Sequence, residues 1–158
     1  MSKELSAMEA LATYLTNMLL LQPGQVTVND WPDVDKLPRG LTLSILPDRL
    51  EVELATVSTQ EVRLYTKLYI IDKGGTVSAL LDEALNAWAD INRAILTDQS
   101  LGGAVGGCSV TAADIYPAIP SQSRAVGIEV DLVLTYEREP LLLPGDVLPG
   151  DYLFPIGD

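Results

Sequence analysis

The chain has no histidine and only one cysteine, and both shortages exclude functions. Without histidine it lacks the commonest metal ligand and the commonest general base of enzymes. The lone Cys108 can form no disulfide within the chain, which favours a reducing compartment. We expect Cys108 to be a small, buried, apolar side chain and not a nucleophile, because no imidazole is present to activate it.

Basic residues and long apolar runs are also scarce. Only 10 residues are Lys or Arg against 22 Asp or Glu, which gives a formal net charge of −12. A protein that grips DNA needs clustered basic side chains to displace counterions from phosphates, and this sequence has no such cluster. No apolar segment is long enough to span a bilayer. We therefore predict no specific binding of DNA and no contact with a membrane. The acidity fits simple solubility, or a surface past which DNA slides.

What the sequence does contain is enough apolar material for one core. Its 158 residues are 47% hydrophobic and 20% charged, which is typical of a single globular domain. The composition changes near the end, where Leu-Pro-Gly-Asp occurs at 143–146 and again at 148–151. We predict one domain over residues 1–139 and a Pro/Gly-rich extension over residues 140–158. The extension is too apolar for a free tail, so Tyr152 and Phe154 are expected to contact their own domain or a neighbouring subunit.

Two helices are predicted from apolar residues that recur every three or four positions. The first runs from about Leu5 to Leu21, with a capping box formed by Ser6 and Glu9. Its core stripe is Met8, Leu11, Leu15, Met18 and Leu19. The second runs from Val77 to Leu96 after Thr76 as its N-cap. Its expected apolar side is Val77, Leu80, Leu81, Ala84, Leu85, Trp88, Ile91 and Ile95, and Glu83 and Asp90 lie on the opposite, polar side.

Strands are predicted from alternating apolar and polar residues. A short edge strand is expected at Val26–Val28. Longer ones are expected at Leu41–Leu46, Leu50–Ala55 after a Pro47-Asp48 turn, Glu61–Ile71, Val105–Tyr116 and Val126–Tyr136. Alternation places Tyr65 and Tyr69 on the non-core face, exposed or against another subunit, and places Glu129 and Asp131 on the non-core face of the last strand. The fold class predicted is α+β, with two layers: a mostly antiparallel sheet of four to six strands and both helices packed on one face.

Two segments resemble ligand-binding loops but lack the required pattern. The glycines after Leu101 follow a helix and open a strand, whereas a phosphate-binding loop follows a strand and opens a helix. Helix capping and a tight turn explain them, and we expect no cofactor. Asp30, Asp33 and Asp35 suggest calcium, yet the glycine and the terminal glutamate of an EF-hand loop are missing. A solvated acidic loop is favoured, and no metal is expected.

The order of elements over residues 35–138 resembles the tail terminator proteins of long-tailed bacteriophages. The pieces that carry the resemblance are Leu37-Pro-Arg-Gly-Leu, Arg63-Leu-Tyr-Thr-Lys-Leu-Tyr-Ile-Ile, Leu80-Leu-Asp-Glu-Ala-Leu, Leu101-Gly102-Gly103 and the strand from Val130 to Tyr136. Each piece is common alone, and their order and spacing together are more specific.

The resemblance implies a structural virion protein of the tail or neck, assembled in the host cytoplasm, and not an enzyme. Members of that family form a homo-oligomeric ring, usually hexameric, that caps the tail tube, stops its polymerisation and offers a docking surface to the head connector or neck protein. In contractile tails the tail sheath protein is a further partner. DNA would pass through without specific binding. Candidate interface or lumen residues are Tyr65, Tyr69, Glu83, Asp90, Glu129, Asp131, Tyr152 and Phe154.

Two alternatives remain open at the level of sequence. One is another head-tail joining protein or a tube-like neck protein, since those share a two-layer α and β build. The other, from a different class, is a hydrolase that uses paired carboxylates such as Asp114 and Glu129. Nothing in the spacing selects that pair, and carboxylates at alternating strand positions are more often simply solvated.

Overall fold

A computed structural model of the protein describes residues 2–54 and 59–138. Tyr152, Phe154 and the rest of the expected extension over residues 140–158 lie outside the described residues, so that part of the domain prediction stays a prediction. The elements along the chain are α1 (Lys3–Leu19), β1 (Val26–Val28), a 3-10 turn (Val34–Lys36), β2 (Gly40–Leu54), β3 (Gln60–Lys73), α2 (Val77–Thr97), β4 (Gly107–Tyr116) and β5 (Ala125–Arg138).

The strands form one five-stranded sheet in the order β1-β2-β3-β5-β4. All neighbouring pairs are antiparallel except β1 and β2, which are parallel. Both helices pack on the same face, which we call the inner face, and the opposite face of the sheet is the outer face. The predicted α+β fold with a mostly antiparallel sheet is confirmed.

The core lies between the inner face and the helices. Along β3 and β5 every second side chain points toward α1 and α2, and most of these side chains are apolar. Each apolar side chain that is fully buried there stabilises the fold by roughly 2 kcal/mol. The hydroxyl of Tyr14 on α1 donates to the carbonyl of Ala94 on α2 at 2.7 Å, which joins the two helices. The largest fully buried side chains are Leu11, Leu15, Leu43, Ile45, Leu64, Leu68, Ile70, Ile91, Ile95, Ile128, Leu132 and Leu134.

The start of α1 differs from the prediction. The Oγ of Ser2 accepts from the backbone N–H of Leu5 at 3.0 Å, so Ser2 is the N-cap and the helix begins at Lys3. The predicted capping box of Ser6 and Glu9 is therefore wrong, because both residues lie inside the helix. The core stripe is confirmed except at Met18, whose side chain is 47% exposed near the end of the helix.

The second helix has the predicted N-cap. The Oγ1 of Thr76 accepts from the backbone N–H of Ala79 at 3.3 Å. Of the expected apolar side, Val77 and Leu85 are exposed, and Trp88 is only partly buried although it packs against the core. The small residues Ala87 and Ala94, which are buried, let the helix lie close to the sheet.

Strand β2 is one continuous strand, where two strands separated by a turn were predicted. The pairing of β2 with β3 shifts between Pro47 and Arg49, which identifies a β-bulge at this point. A bulge accommodates proline, which cannot donate to the sheet ladder. The extra residue also shifts the alternation, so that Leu50 and Val52 return to the inner face after Leu43 and Ile45.

The turn after α2 depends on positive φ angles at Leu101, Gly102 and Gly103, which are 53°, 76° and 87°. Only glycine adopts such angles without strain, which explains the glycine pair. Asp98 fixes the turn, since its carboxylate accepts from the N–H and hydroxyl of Ser100 and from the N–H of Gly102. These hydrogen bonds lower the pKa of Asp98. The predicted tight turn is confirmed, whereas the predicted capping of α2 by these glycines is wrong, because the helix ends at Thr97 and its C-cap is Asp98 in an extended conformation.

Candidate interface surfaces

The outer face carries a cluster of charged side chains centred on Lys67 of β3. Its Nζ lies 2.6 Å from Asp131 Oδ1 and 3.8 Å from Glu129 Oε2 on β5. Lys67 and Asp131 are directly opposite in the antiparallel register, which brings their side chains to the same face. The hydrogen bond that Lys67 donates to Asp131 raises the pKa of Lys67, and partial burial opposes that rise. One ammonium therefore lies between two carboxylates, all three partly shielded from water.

Tyr69 lies beside this cluster and is partly covered by its own chain. The ring of Trp31 lies 6.2 Å from the Tyr69 ring, between centroids, at an interplanar angle of 42°. Burial, together with the hydrogen bond to Glu129, raises the pKa of Tyr69 to about 12, so its hydroxyl remains a donor at physiological pH. Trp31 itself is 78% exposed. The two rings form a tilted aromatic pair in which Trp31 is the solvent-exposed member.

Tyr65 also has a partner in its own chain. The guanidinium carbon of Arg49 lies 4.3 Å from the centre of the Tyr65 ring, which is a cation–π contact. Both tyrosines are half-buried, where sequence alone predicted exposure or contact with another subunit. Their role at an interface stays a prediction.

The structure brings together four of the predicted residues, Tyr65, Tyr69, Glu129 and Asp131, on the outer face. Sequence reasoning missed Lys67 as the centre of this cluster. The alternating pattern contained this information. Lys67 lies two positions from both Tyr65 and Tyr69, and Glu129 lies two positions from Asp131, so each set shares one face of its strand. What sequence could not indicate was the register that places β5 beside β3.

Glu83 and Asp90 lie in the other layer, on the exposed side of α2, away from the outer-face cluster. Asp90 Oδ1 is 3.4 Å from Arg93 Nη1, an ion pair one helical turn apart on the surface. Such pairs contribute little to stability, about 0–1 kcal/mol. The two predicted lumen surfaces are therefore on opposite sides of the molecule.

Asp72, at the end of β3, is a buried carboxyl that sequence reasoning did not select. Its side chain is completely buried, and its Oδ1 accepts from the backbone N–H of Lys73 at 2.9 Å. Its Oδ2 is without a hydrogen-bond partner unless a proton is shared with the neighbouring Glu83, because two ionised carboxylates cannot bond. Burial is the main cause that raises the pKa of Asp72 to about 6, and the neighbouring Glu83 is the second cause. The alternating pattern of β3 could have predicted the burial of Asp72, since it lies on the same, inner face as Leu68 and Ile70.

The carboxylates of the hydrolase alternative are neighbours, because Asp114 of β4 lies directly opposite Glu129 of β5. Asp114 is exposed, whereas Glu129 is held by Lys67 and by the hydroxyl of Tyr69. Cys108 is buried, and burial raises the pKa of its thiol to about 12. The expectation of a buried, small, apolar cysteine is confirmed. Within residues 2–54 and 59–138, no group of three potential ligands is placed to hold a metal ion.

Among residues 2–54 and 59–138, no strand covers either edge of the sheet. Along β4, the outermost strand, Ile115 and Tyr116 are 52% and 47% exposed. At the opposite edge β1 pairs only with Leu43–Ile45 of β2. Residues 46–54 of β2 therefore pair with β3 on one side and have no described strand on the other. Leu50 and Val52 are 45% and 47% exposed there. Unpaired backbone groups next to apolar side chains are sites where further strands add.

No model of a protein family matches this chain, and no curated protein matches it either. Of the helices that the structure describes, none has the length and apolar character needed to cross a membrane. The function therefore has to be inferred from the fold and its surfaces.

Proposed function

We propose that this protein is a structural protein of a phage virion, a tail terminator that forms a homo-oligomeric ring. The ring, of six copies, caps the finished tail tube, stops its polymerisation and offers a docking surface to the head connector or neck protein. In a contractile tail it also contacts the sheath. DNA passes through the ring without being bound specifically, and no catalysis is involved.

The observation that carries the proposal is the pair of open sheet edges on opposite sides of the subunit. The edge of β4 and the edge formed by residues 46–54 of β2 differ in sequence and face away from each other. If the β4 edge of one copy pairs with the β2 edge of the next, every copy uses both edges. Such a heterologous, head-to-tail contact produces a closed ring when the rotation between copies closes.

A two-fold dimer would use the edges less completely. Pairing of β4 with β4 would leave Leu50 and Val52 of the β2 edge exposed in both copies. Pairing of β2 with β2 would leave Ile115 and Tyr116 of the β4 edge exposed. Open apolar edges cause uncontrolled association, which a closed ring avoids.

The charge of the chain supports passage of DNA. The net charge is −12, and acidic side chains occur in both layers, with Glu129 and Asp131 on the outer face and Glu83 and Asp90 on α2. Whichever layer lines the lumen, like charge would suppress adhesion of the phosphate backbone.

The first test is the mass in solution, measured by light scattering on the protein alone and after mixing with a tail tube protein from the same genome. Six copies of 17.0 kDa give a ring of about 102 kDa. A ring that also blocks tube growth supports the proposal. A ring indifferent to the tube would favour another neck position, and a monomer under both conditions would refute the proposal.

Edge variants distinguish head-to-tail contacts from two-fold contacts. Ile115→Lys blocks the β4 edge, and Val52→Lys blocks the β2 edge. Each alone should be monomeric, and an equal mixture should form dimers of about 34 kDa, two copies of 17.0 kDa, because each variant retains the edge that the other lacks. Leu96→Lys is the matched control, since Leu96 is 64% exposed on α2 away from both edges. Failure of the mixture to dimerise would contradict the head-to-tail arrangement.

A further inference from the structure

The outer face contains a cleft that lies beside the β4 edge and shares Tyr116 with it. It lies between the segment of residues 29–37, which we call the acidic loop, and residues 117–124, the β4–β5 loop. Its volume is about 290 Å³. The lining is mostly apolar and aromatic, and consists of Pro32, Val34, Tyr69, Ile71, Tyr116 and Ile119 with a few neighbours.

Both walls of the cleft are fixed by hydrogen bonds within the chain. The buried Nζ of Lys73 donates to the carbonyl oxygens of Val34, Asp35 and Leu37 at 2.7, 3.2 and 2.9 Å. The backbone N–H of Gln122 donates to Asp35 Oδ1 at 2.7 Å, which ties the β4–β5 loop to the acidic loop. The cleft is therefore already formed, and a ligand would not have to order it.

The floor and rim suit an extended apolar segment. Gly127 forms part of the floor, and a Cβ at this position would lie 2.7 Å from Ile119 Cδ1, so a larger residue would displace the end of the Ile119 side chain. Tyr69 and Tyr116 line the sides, and Trp31, whose ring is tilted against that of Tyr69, continues the aromatic surface outward. Grooves lined by aromatic side chains bind proline-containing or leucine-containing segments in extended conformation.

The surroundings of the cleft are acidic. Six carboxylates and four cations lie in its two loops and on the adjoining outer face, a local charge of −2. The carboxylates are Asp30, Asp33, Asp35, Asp114, Glu129 and Asp131, and the cations are Lys36, Lys67, Lys73 and Arg124. Lys36 is already in an ion pair with Asp33 at 3.7 Å, and Lys67 is paired with Asp131 at 2.6 Å and with Glu129 at 3.8 Å. The unpaired charge that remains at the rim is therefore mostly negative.

Charge selects among the possible occupants. The C-terminal residues 139–158 of this chain are apolar and proline-rich, but they carry four carboxylates and no Lys or Arg, so the rim would repel them. A second copy has 22 Asp or Glu against 10 Lys or Arg, with no cluster of basic residues to pair with the rim. A segment of a different protein with basic residues beside its apolar anchor gains from both properties of the cleft.

We propose that the cleft is a docking site for an extended segment of a partner protein, in which proline or leucine fills the apolar floor and a neighbouring Lys or Arg pairs with Glu129 and Asp114. The contact does not depend on ring formation. It would give the outer face a specific partner in addition to copies of this chain.

The test is a selection of random twelve-residue displayed peptides on the full-length protein, followed by fluorescence anisotropy of the enriched peptides. Enriched peptides should combine Lys or Arg with Pro or Leu. Their affinity should fall by about ten-fold or more in Trp31→Ala and by about three-fold to ten-fold in Asp114→Asn, whose side chain is exposed and can be replaced without disturbing the fold. Binding should also weaken when salt is raised.

Matched controls on α2 separate the cleft from general effects. Asp90→Asn removes one exposed carboxylate, and Leu96→Ala removes one exposed apolar side chain, both away from the cleft. Neither should change the affinity. The proposal is overturned if no peptide is enriched, if the enriched peptides are acidic, or if the control variants weaken binding as much as the cleft variants. It is also overturned if a synthetic peptide of residues 139–158 binds and competes, or if self-association of the protein is lost in Trp31→Ala, since the occupant would then be this chain itself.

Discussion

Replacing Asp72 with asparagine is expected to stabilise the folded protein at neutral pH. The carboxyl is completely buried beside Glu83, and it accepts one hydrogen bond, from the backbone N–H of Lys73. Asparagine has almost the same shape and no charge. Its amide oxygen can accept from Lys73, and its amide nitrogen can donate to the Glu83 carboxylate.

The magnitude follows from the pKa. Burial and Glu83 raise the pKa of Asp72 from 3.8 to about 6, so the folded state favours the protonated form. The stability that this group contributes is complete below pH 3.8 and is lost as the pH rises through 6. A difference of about 2 between the two pKa values corresponds to about 3 kcal/mol at pH 7. Since asparagine is neutral at every pH, the variant avoids this loss.

Urea unfolding of Asp72→Asn and the unaltered protein, at pH values between about 4 and 8, measures the effect. The two free energies of unfolding should nearly agree at pH 4 and diverge between pH 4 and 6, with half of the divergence reached at about pH 5, and should differ by about 2–3 kcal/mol above pH 7. In thermal unfolding the same difference raises Tm by about 5–10 °C for a chain of this size. Asp90→Asn, at an exposed site, is the matched control and should change stability by less than about 1 kcal/mol.

A stability difference that does not vary with pH would refute the reasoning, because the effect would then come from packing and not from ionisation. So would a variant less stable than the unaltered protein at pH 7, which would mean that the ionised carboxylate is favourably solvated in the folded state. Glu83→Gln gives an independent check. Removing that neighbouring charge should move the midpoint of the divergence to lower pH.

Three further predictions concern other contacts. Lys67→Met leaves Glu129 and Asp131 without their partly buried cation, and urea unfolding should show a free energy of unfolding lower by about 1–2 kcal/mol. Lys36→Met, at an exposed ion pair, is the control and should change the free energy of unfolding by less than about 0.5 kcal/mol. Glu4→Gln weakens two contacts that attach α1 to β5, with the Tyr136 hydroxyl at 2.7 Å and Arg138 Nη1 at 2.8 Å, and should cost about 1–2 kcal/mol; an unchanged unfolding curve would contradict the importance of this attachment. Cys108 should react with iodoacetamide at pH 8 only when the protein unfolds, because burial raises the pKa of its thiol to about 12; rapid labelling in native buffer, followed by mass spectrometry, would refute its burial.

The sequence predicted the fold wherever a local pattern determined the structure. Alternation along β3 and β5, the apolar stripe of α2 and the Thr76 cap are properties of neighbouring residues, and the structure has all three. The prediction failed where a local signal was ambiguous. Pro47-Asp48 is typical of a turn, yet here it forms a bulge, because the pairing of β2 with β3 continues on both sides of it.

The surfaces were less predictable than the fold, because they depend on strand order. Alternation assigned Tyr69 and Glu129 to the outer face of their strands, but only the register between β3 and β5 makes them neighbours. Burial of Asp72 depends on α2 lying over the end of β3. The cleft joins two loops that are about 80 residues apart in sequence, and no local pattern indicates that Gln122 meets Asp35.

The way Lys73 holds the acidic loop has a consequence for how this surface can change over evolutionary time. Its ammonium contacts only main-chain oxygens, those of Val34, Asp35 and Leu37, so the anchor does not depend on which side chains the loop carries. Substitutions at Trp31, Pro32 or Val34 would alter what the cleft recognises and leave the backbone of the loop in place. Selection could therefore retarget this surface to a new partner while one lysine, at the end of a core strand, preserves the shape of the loop.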